Sequence, residues 1–154
     1  IDIQSQTLTL LNEGTAKKVY AISTGRAGAG ELSGSGCTPR GLHIVRAKIG
    51  AGATKGAVFV GRRQTGEIYS ADKGRMYPER DWILSRILWL SGLERGVNRL
   101  SLVDTMRRYI YIHGCPDEYP MGVPLSHGCI RMLNTDVIEL FDEVEAGDRV
   151  YIRE

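Results

Sequence analysis

Tyr109-Ile110-Tyr111-Ile112-His113-Gly114, with Ser126-His127-Gly128-Cys129-Ile130-Arg131 downstream of it, is the stretch on which this chain turns. The first segment is an apolar run ending in a histidine and a glycine, the pattern of a strand that stops where the chain turns. The second sets one cysteine beside a glycine, with Arg131 two residues on. A thiol at its ordinary pKa of ~8.5 is mostly protonated at neutral pH, and the thiolate is the nucleophile. A reactive cysteine therefore needs a base or a positive field beside it. His113, His127, Arg131 and the backbone N–H groups around Gly128 can supply both.

Outward from that centre, the chain reads as mostly β. Ile1 to Leu11 alternates apolar and polar residues, Asn12 to Thr15 carries turn chemistry, and Lys18 to Ser23 alternates again, which predicts a hairpin. Gly25 to Gly36 reads as a mobile loop. Leu42 to Ile49 and Ala57 to Arg62 read as strands, with Glu67 to Tyr69 a shorter candidate. Trp82 to Leu90 fits both helical and strand periods. A strand is expected over Arg107 to His113. Asn134 is a good N-cap, and Asp136 follows in the first turn, where negative charge suits the helix dipole. Val137, Leu140, Phe141 and Val144 recur at helical spacing, predicting a helix from Thr135 to Val144. Arg149 to Ile152 reads as a last strand.

The 154 residues, 42% hydrophobic and 25% charged, are those of one ordinary globular domain, taken here as residues 1–154. A net charge of +2 is too mild to argue for nucleic acid. No stretch approaches the ~18 apolar residues of a membrane helix. Cys37, Cys115 and Cys129 are odd in number and irregular in spacing, so three free thiols in a reducing compartment are the simplest reading. No signal peptide is visible, so a cytoplasmic location is expected. A periplasmic one is the alternative if a leader preceded Ile1.

Each candidate site residue also has a plainer role. Cys129 is either a nucleophile or a buried structural thiol. His113 is either a base at a strand end or a satisfied, half-buried histidine. His127, on backbone adjacent to Cys129, suits an orienting or oxyanion role better than that of base. Arg131 could stabilise a thiolate or a substrate carboxylate, and Arg86, a cation inside an apolar run, needs an internal acid or a bound carboxylate. The pairs His113-x-Cys115 and His127-x-Cys129 raise the question of a metal. They lack the Cys-x(2–4)-Cys spacing of zinc sites, so neither metal nor cofactor is expected. The glycine loop lacks both the dinucleotide and the phosphate-loop patterns.

These residues resemble the YkuD-type L,D-transpeptidase catalytic domain: His113-Gly114, then Ser126-His127-Gly128-Cys129-Ile130-Arg131, with Thr38-Pro39-Arg40-Gly41 and Asn134-x-Asp136-Val137-Ile138 as further matches. The resemblance runs from the opening hairpin to Ile152. It implies a mostly β, sandwich or barrel-like fold with one or two short helices and a cysteine beside a cleft. It also implies attack on the L,D-bond between the third residue, usually diaminopimelate, and D-Ala in peptidoglycan stem peptides or muropeptides. By that resemblance Cys129 is the nucleophile, His113 the base, and the Gly114 carbonyl the group that holds the imidazole. Ser126, His127 and the Gly128 and Cys129 N–H groups would line the oxyanion hole, and Arg131, Arg86 and Arg40 are candidates for a substrate carboxylate. Hydrolysis of the acyl-enzyme, as in muropeptide recycling, is favoured over cross-linking. A transpeptidase is the alternative, and a non-catalytic wall-binding or metal-binding domain a distant one. The chain departs from the family at Cys115, where many members carry threonine. Oligomeric state is not legible.

Overall fold

The computed structural model describes residues 1–154. Its chain opens with a hairpin, β1 (Thr7–Asn12) and β2 (Thr15–Ala21), around Glu13 and Gly14. Both turn residues have positive φ, 50° and 79°. That is the type I′ geometry whose twist matches the flanking strands, and glycine takes it without cost. Leu8 and Tyr20 face each other across the ribbon and are buried.

The remaining strands form one sheet: β3 (Gly41–Ile49), β4 (Ala57–Val60), β5 (Arg63–Ile68), β6 (Ile83–Gly92), β7 (Tyr111–Gly114), β8 (Ile130–Met132) and β9 (Arg149–Ile152). Its order is β5-β4-β6-β3-β9, with β7 on β6 and β8 on β7. The ambiguous run Trp82 to Leu90 is therefore the central strand. Neighbours on both edges and packing on both faces remove the alternation that marks a half-exposed strand. Ile87, Leu88 and Leu90 are all buried, although they point to opposite faces. Between Leu84 and Ile87 the register with β7 shifts, and Ser85 takes a φ of 67°. This bulge turns the next residues of β6 relative to its start.

Two helices complete the chain. The first, α1 (Ala71–Met76), is a short turn capped by Ser70, whose side chain accepts from the Lys73 N–H. It has no counterpart in the sequence reading, because so short a helix displays no period. The second, α2 (Asn134–Glu143), buries Val137, Leu140 and Phe141. They pack with Leu88, Leu90, Ile112, Ile130 and Met132 of the sheet, Leu8 and Tyr20 of the hairpin, and Ile22 just after it. Each such side chain contributes ~1.5–3 kcal/mol on burial. The fold is mostly β with two helices, as expected.

Two local expectations are corrected. Asn134 does not cap α2; the cap position is Leu133, with no side-chain bond. Asn134 instead turns inward, its Nδ2 donating to the Cys115 carbonyl at 2.8 Å and to Asp117 Oδ1 at 2.9 Å, while its Oδ1 accepts from Ser85 Oγ at 2.5 Å. Asp117 Oδ1 also accepts the Asn134 N–H at 3.0 Å, so the capping acceptor comes from a loop remote in the helix's own pattern. The strand predicted from Arg107 begins only at Tyr111. Asp104 accepts the Arg107 N–H on Oδ1 and the Arg108 N–H on its carbonyl, both at 2.9 Å, which holds those residues in a turn.

Candidate active site

Strands β7 and β8 pair in parallel, Ile112 with Ile130, His113 with Arg131 and Gly114 with Met132. Side chains alternate between faces along a strand. Ile112 and Ile130 point into the core beneath α2. Tyr111 and His113 on β7, with Cys129 just before β8 and Arg131 on it, take the other face. Cys129 packs there against the cluster of Ala57, Phe59, Ile87 and Tyr111. Cys129 stands level with Tyr111, and His113 lies one step further along the same face. Diagonal neighbours of this kind are ~7 Å apart at the backbone, within reach of a histidine. Parallel pairing thus brings together two residues far apart in the chain.

His113 is buried, and its Nδ1 lies 2.8 Å from the Gly114 carbonyl oxygen. A carbonyl only accepts, so Nδ1 carries the proton and Nε2 presents a lone pair. That Nε2 is buried with no hydrogen-bond partner. Burial pushes the imidazole pKa down, only partly offset by Asp81 and the Gly114 carbonyl. The Cys129 Sγ accepts from the Tyr111 N–H at 3.3 Å and donates to the Tyr109 carbonyl at 3.4 Å. Tyr109 has a φ of 56°, a left-handed conformation unusual for a residue of its size. Burial pushes the Cys129 thiol up to about 12, against the pull of the Tyr111 N–H, Arg131 and Arg108. Both shifts favour a neutral thiol and a neutral imidazole at pH 7.

The turn that delivers Cys129 is held by three side-chain hydrogen bonds. Ser126 Oγ accepts the Gly128 N–H at 3.1 Å and donates to the Cys129 carbonyl at 2.5 Å. Thr38 Oγ1 donates to the Gly128 carbonyl at 2.9 Å. Gly128 has a φ of 122°, and a Cβ there would lie 3.0 Å from the Cys37 carbonyl oxygen, so the position requires glycine. The Gly128 N–H is therefore engaged inside the turn rather than open to an oxyanion. The Cys129 N–H has no protein acceptor. His127 is exposed, between these two anchored residues.

The L,D-transpeptidase catalytic domain model named YkuD matches residues 1–152. The chain belongs to this family. Among solved structures, L,D-transpeptidase 3 from Mycobacterium tuberculosis, determined with a faropenem-derived adduct, superposes with a TM-score of 0.60 at 18% identity, covering 99% of this chain and 58% of that one. An L,D-transpeptidase from Mycobacterium smegmatis gives 0.56 at 19% identity, covering 99% and 56%. Those likenesses bear on the fold. Among curated proteins, the probable L,D-transpeptidase YbiS of Escherichia coli K12 is 42% identical over 43 residues, 28% of this chain and 14% of YbiS. The probable L,D-transpeptidase ErfK/SrfK of Salmonella typhimurium is 44% identical over 45 residues, 29% and 15%. The chain thus spans little more than half of these two solved structures and matches about a seventh of these two curated proteins.

Within this YkuD domain the three arginines singled out for a substrate carboxylate are occupied elsewhere. Arg131 Nη2 pairs with Asp81 Oδ1 at 3.0 Å, and its Nη1 donates to the Leu125 carbonyl at 3.2 Å, so it orders the loop before Cys129. Arg86 lies on the α2 face of β6, opposite Cys129. Its guanidinium is held by the Ala53 and Ser85 carbonyls at 2.8 and 2.7 Å and lies over the Phe141 ring at 5.4 Å. Carbonyl oxygens and a ring, not an acid, balance that buried cation. Arg40 is exposed and paired with Glu31 at 2.9 Å and Glu154 at 3.0 Å. Cys115 is buried, its thiol donating to the Met132 carbonyl at 3.4 Å.

Other residues at the site carried no sequence signal. Arg108 donates to the carbonyls of Gly30, Glu31 and Cys37 at 3.1, 2.8 and 2.6 Å. Ser33 N–H adds a bond to the Leu102 carbonyl at 2.7 Å. The glycine-rich stretch expected to be mobile is thus tied down against the turn that carries Tyr109. Asp81 and Arg62 were also missed, because each acts on residues distant in the sequence.

Proposed function

We propose that Cys129 is the nucleophile and His113 the general base of an acyl-transfer enzyme acting on the L,D-peptide bond of peptidoglycan stem peptides. One observation carries this: His113, whose buried Nε2 has no partner, and Cys129, the residue just before the parallel neighbour β8, take the same face of the sheet. A buried lone pair without a donor costs ~1–3 kcal/mol, and such a cost is retained where the atom has work to do.

The chemistry follows. The resting pair is neutral, so the thiol proton moves to His113 Nε2 as Sγ bonds to the carbonyl carbon. The carbonyl oxygen becomes an oxyanion beside the Cys129 N–H. Collapse breaks the C–N bond, and the leaving D-Ala amine takes the proton from Nε2. A thioester remains. An amine acceptor then gives a transpeptidase product, and water gives a shortened stem. The curated relatives are named transpeptidases, which supports the amine; trimming by water is the expectation from sequence. Ser126 and the Gly114 carbonyl position the turn and the imidazole without touching substrate.

The test is incubation with disaccharide-tetrapeptide, with and without an amine acceptor, read by mass spectrometry. A covalent adduct on Cys129 with loss of D-Ala is expected, absent in Cys129→Ala. The appearance of dimers or tripeptide assigns the acceptor. Turnover that persists in Cys129→Ala would overturn the proposal.

A further inference from the structure

We propose that Arg62 binds a carboxylate of the substrate beside Cys129, an assignment that rests on the acyl-transfer reading above. Arg62 is the second residue of the tight turn between β4 and β5, with φ of 65°. From there its side chain folds back over the sheet. The guanidinium lies 4.5 Å from the centroid of Trp89 and 5.2 Å from that of Tyr109, and Nη1 donates to the Tyr111 hydroxyl at 3.0 Å. Tyr109 and Tyr111 are the two residues whose backbone carbonyl and N–H hold the Cys129 thiol. The same short segment therefore fixes both the sulfur and the cation.

The cation is also available. Arg131, Arg40 and Arg80 are each paired with a carboxylate. Arg86 and Arg108 are taken up by backbone carbonyls. Arg62 has no carboxylate within ion-pair distance and commits one N–H, to a phenol, of the five a guanidinium offers. Stacking on rings leaves the edge of the fork free. A planar, ring-backed guanidinium is the geometry that takes a carboxylate in two parallel bonds. A stem tetrapeptide has two such groups near the scissile bond: the terminal carboxylate of D-Ala and, with diaminopimelate, the one on the third side chain.

Binding to the Cys129→Ala protein, which cannot react, tests this by calorimetry. Three peptides are compared: the free tetrapeptide, its C-terminal amide, and its third-residue side-chain amide. Adding Arg62→Gln is expected to weaken the free peptide about tenfold or more. One of the two amides should bind equally well with and without the Arg62→Gln substitution, and that amide names the carboxylate. Arg62→Lys should fall between, and Tyr111→Phe, which frees Nη1, should weaken the same peptides less. Equal weakening of all three peptides makes Arg62 a packing residue and overturns the proposal, as does no weakening at all. If the Arg62-dependent pattern holds but wild-type protein forms no thioester, the carboxylate site stands and the acyl-transfer reading falls.

Discussion

At Cys129 burial and hydrogen bonding pull in opposite directions, and burial wins. The thiol is held up to about 12, and His113 is held below its usual value, so the pair rests uncharged. On the proposed mechanism, thiolate forms only as the proton moves to His113 Nε2 along the attack. Alkylation by iodoacetamide, which reports standing thiolate, should therefore be slower at Cys129 than at an unperturbed thiol at pH ~8. Its rate should keep rising beyond pH ~9, as measured by mass spectrometry of the labelled peptide. A plateau below pH ~8 would show an ion pair at rest. Ser126 is the second pressure point. Ser126→Ala leaves the Gly128 N–H and the Cys129 carbonyl without their partner. It should cost about 1–3 kcal/mol in urea unfolding and slow thioester formation.

The elements that present the site are coupled through one glycine and one amide. Gly114 ends β7 with its carbonyl on His113 Nδ1. A Cβ there would lie 2.6 Å from the Leu84 carbonyl oxygen and 2.6 Å from Asn134 Oδ1. Both groups are fixed, the first in β6 and the second at the start of α2, so neither can yield cheaply. Gly114→Ala should destabilise by several kcal/mol, and the surviving fold should lose base function because the imidazole acceptor has moved; thermal melting and acylation rate read the two effects. Asn134→Ala breaks the link between α2, the Cys115 carbonyl and Ser85 in the β6 bulge. About 2–3 kcal/mol is expected from the buried groups left without partners, measured by denaturant unfolding.

Across the whole molecule, two buried histidines whose pKa values are held down are expected to shape the acid limb of stability. His43 on β3 donates from Nδ1 to the Gly41 carbonyl and accepts from Thr105 Oγ1 at Nε2, both at 3.0 Å. Burial lowers its pKa from 6.5 to about 4. Between those values the unfolded chain binds a proton that the folded chain refuses, so stability falls as pH drops through that window. The loss from His43 is about 3 kcal/mol by pH 4, and His113 adds in the same direction. His43→Gln should flatten the fall in urea midpoint between pH 6.5 and about 4. A slope equal to wild type would assign the acid limb to other groups.

Much of this was legible in residues alone. Hairpin, last strand and α2 follow from local alternation, turn chemistry and helical spacing, which act over a few neighbours. Cys129 and His113 stand out as candidates by the signature of their own segments, and the parallel pairing of β7 with β8 puts them on one face. The central strand was not legible, because burial on both faces erases its period. Nor was the fate of the arginines: Arg131, Arg86 and Arg40 were candidates for a substrate carboxylate, yet each meets a partner within the fold, Asp81 for the first, the Ala53 and Ser85 carbonyls for the second, and Glu31 with Glu154 for the third. Arg62, silent in the sequence, is carried by a tight turn onto two aromatic rings and a phenol hydroxyl. Local pattern determines which segments form strands, turns and helices; which charged groups find partners and which do not depends on contacts between segments, and only tertiary structure decides those.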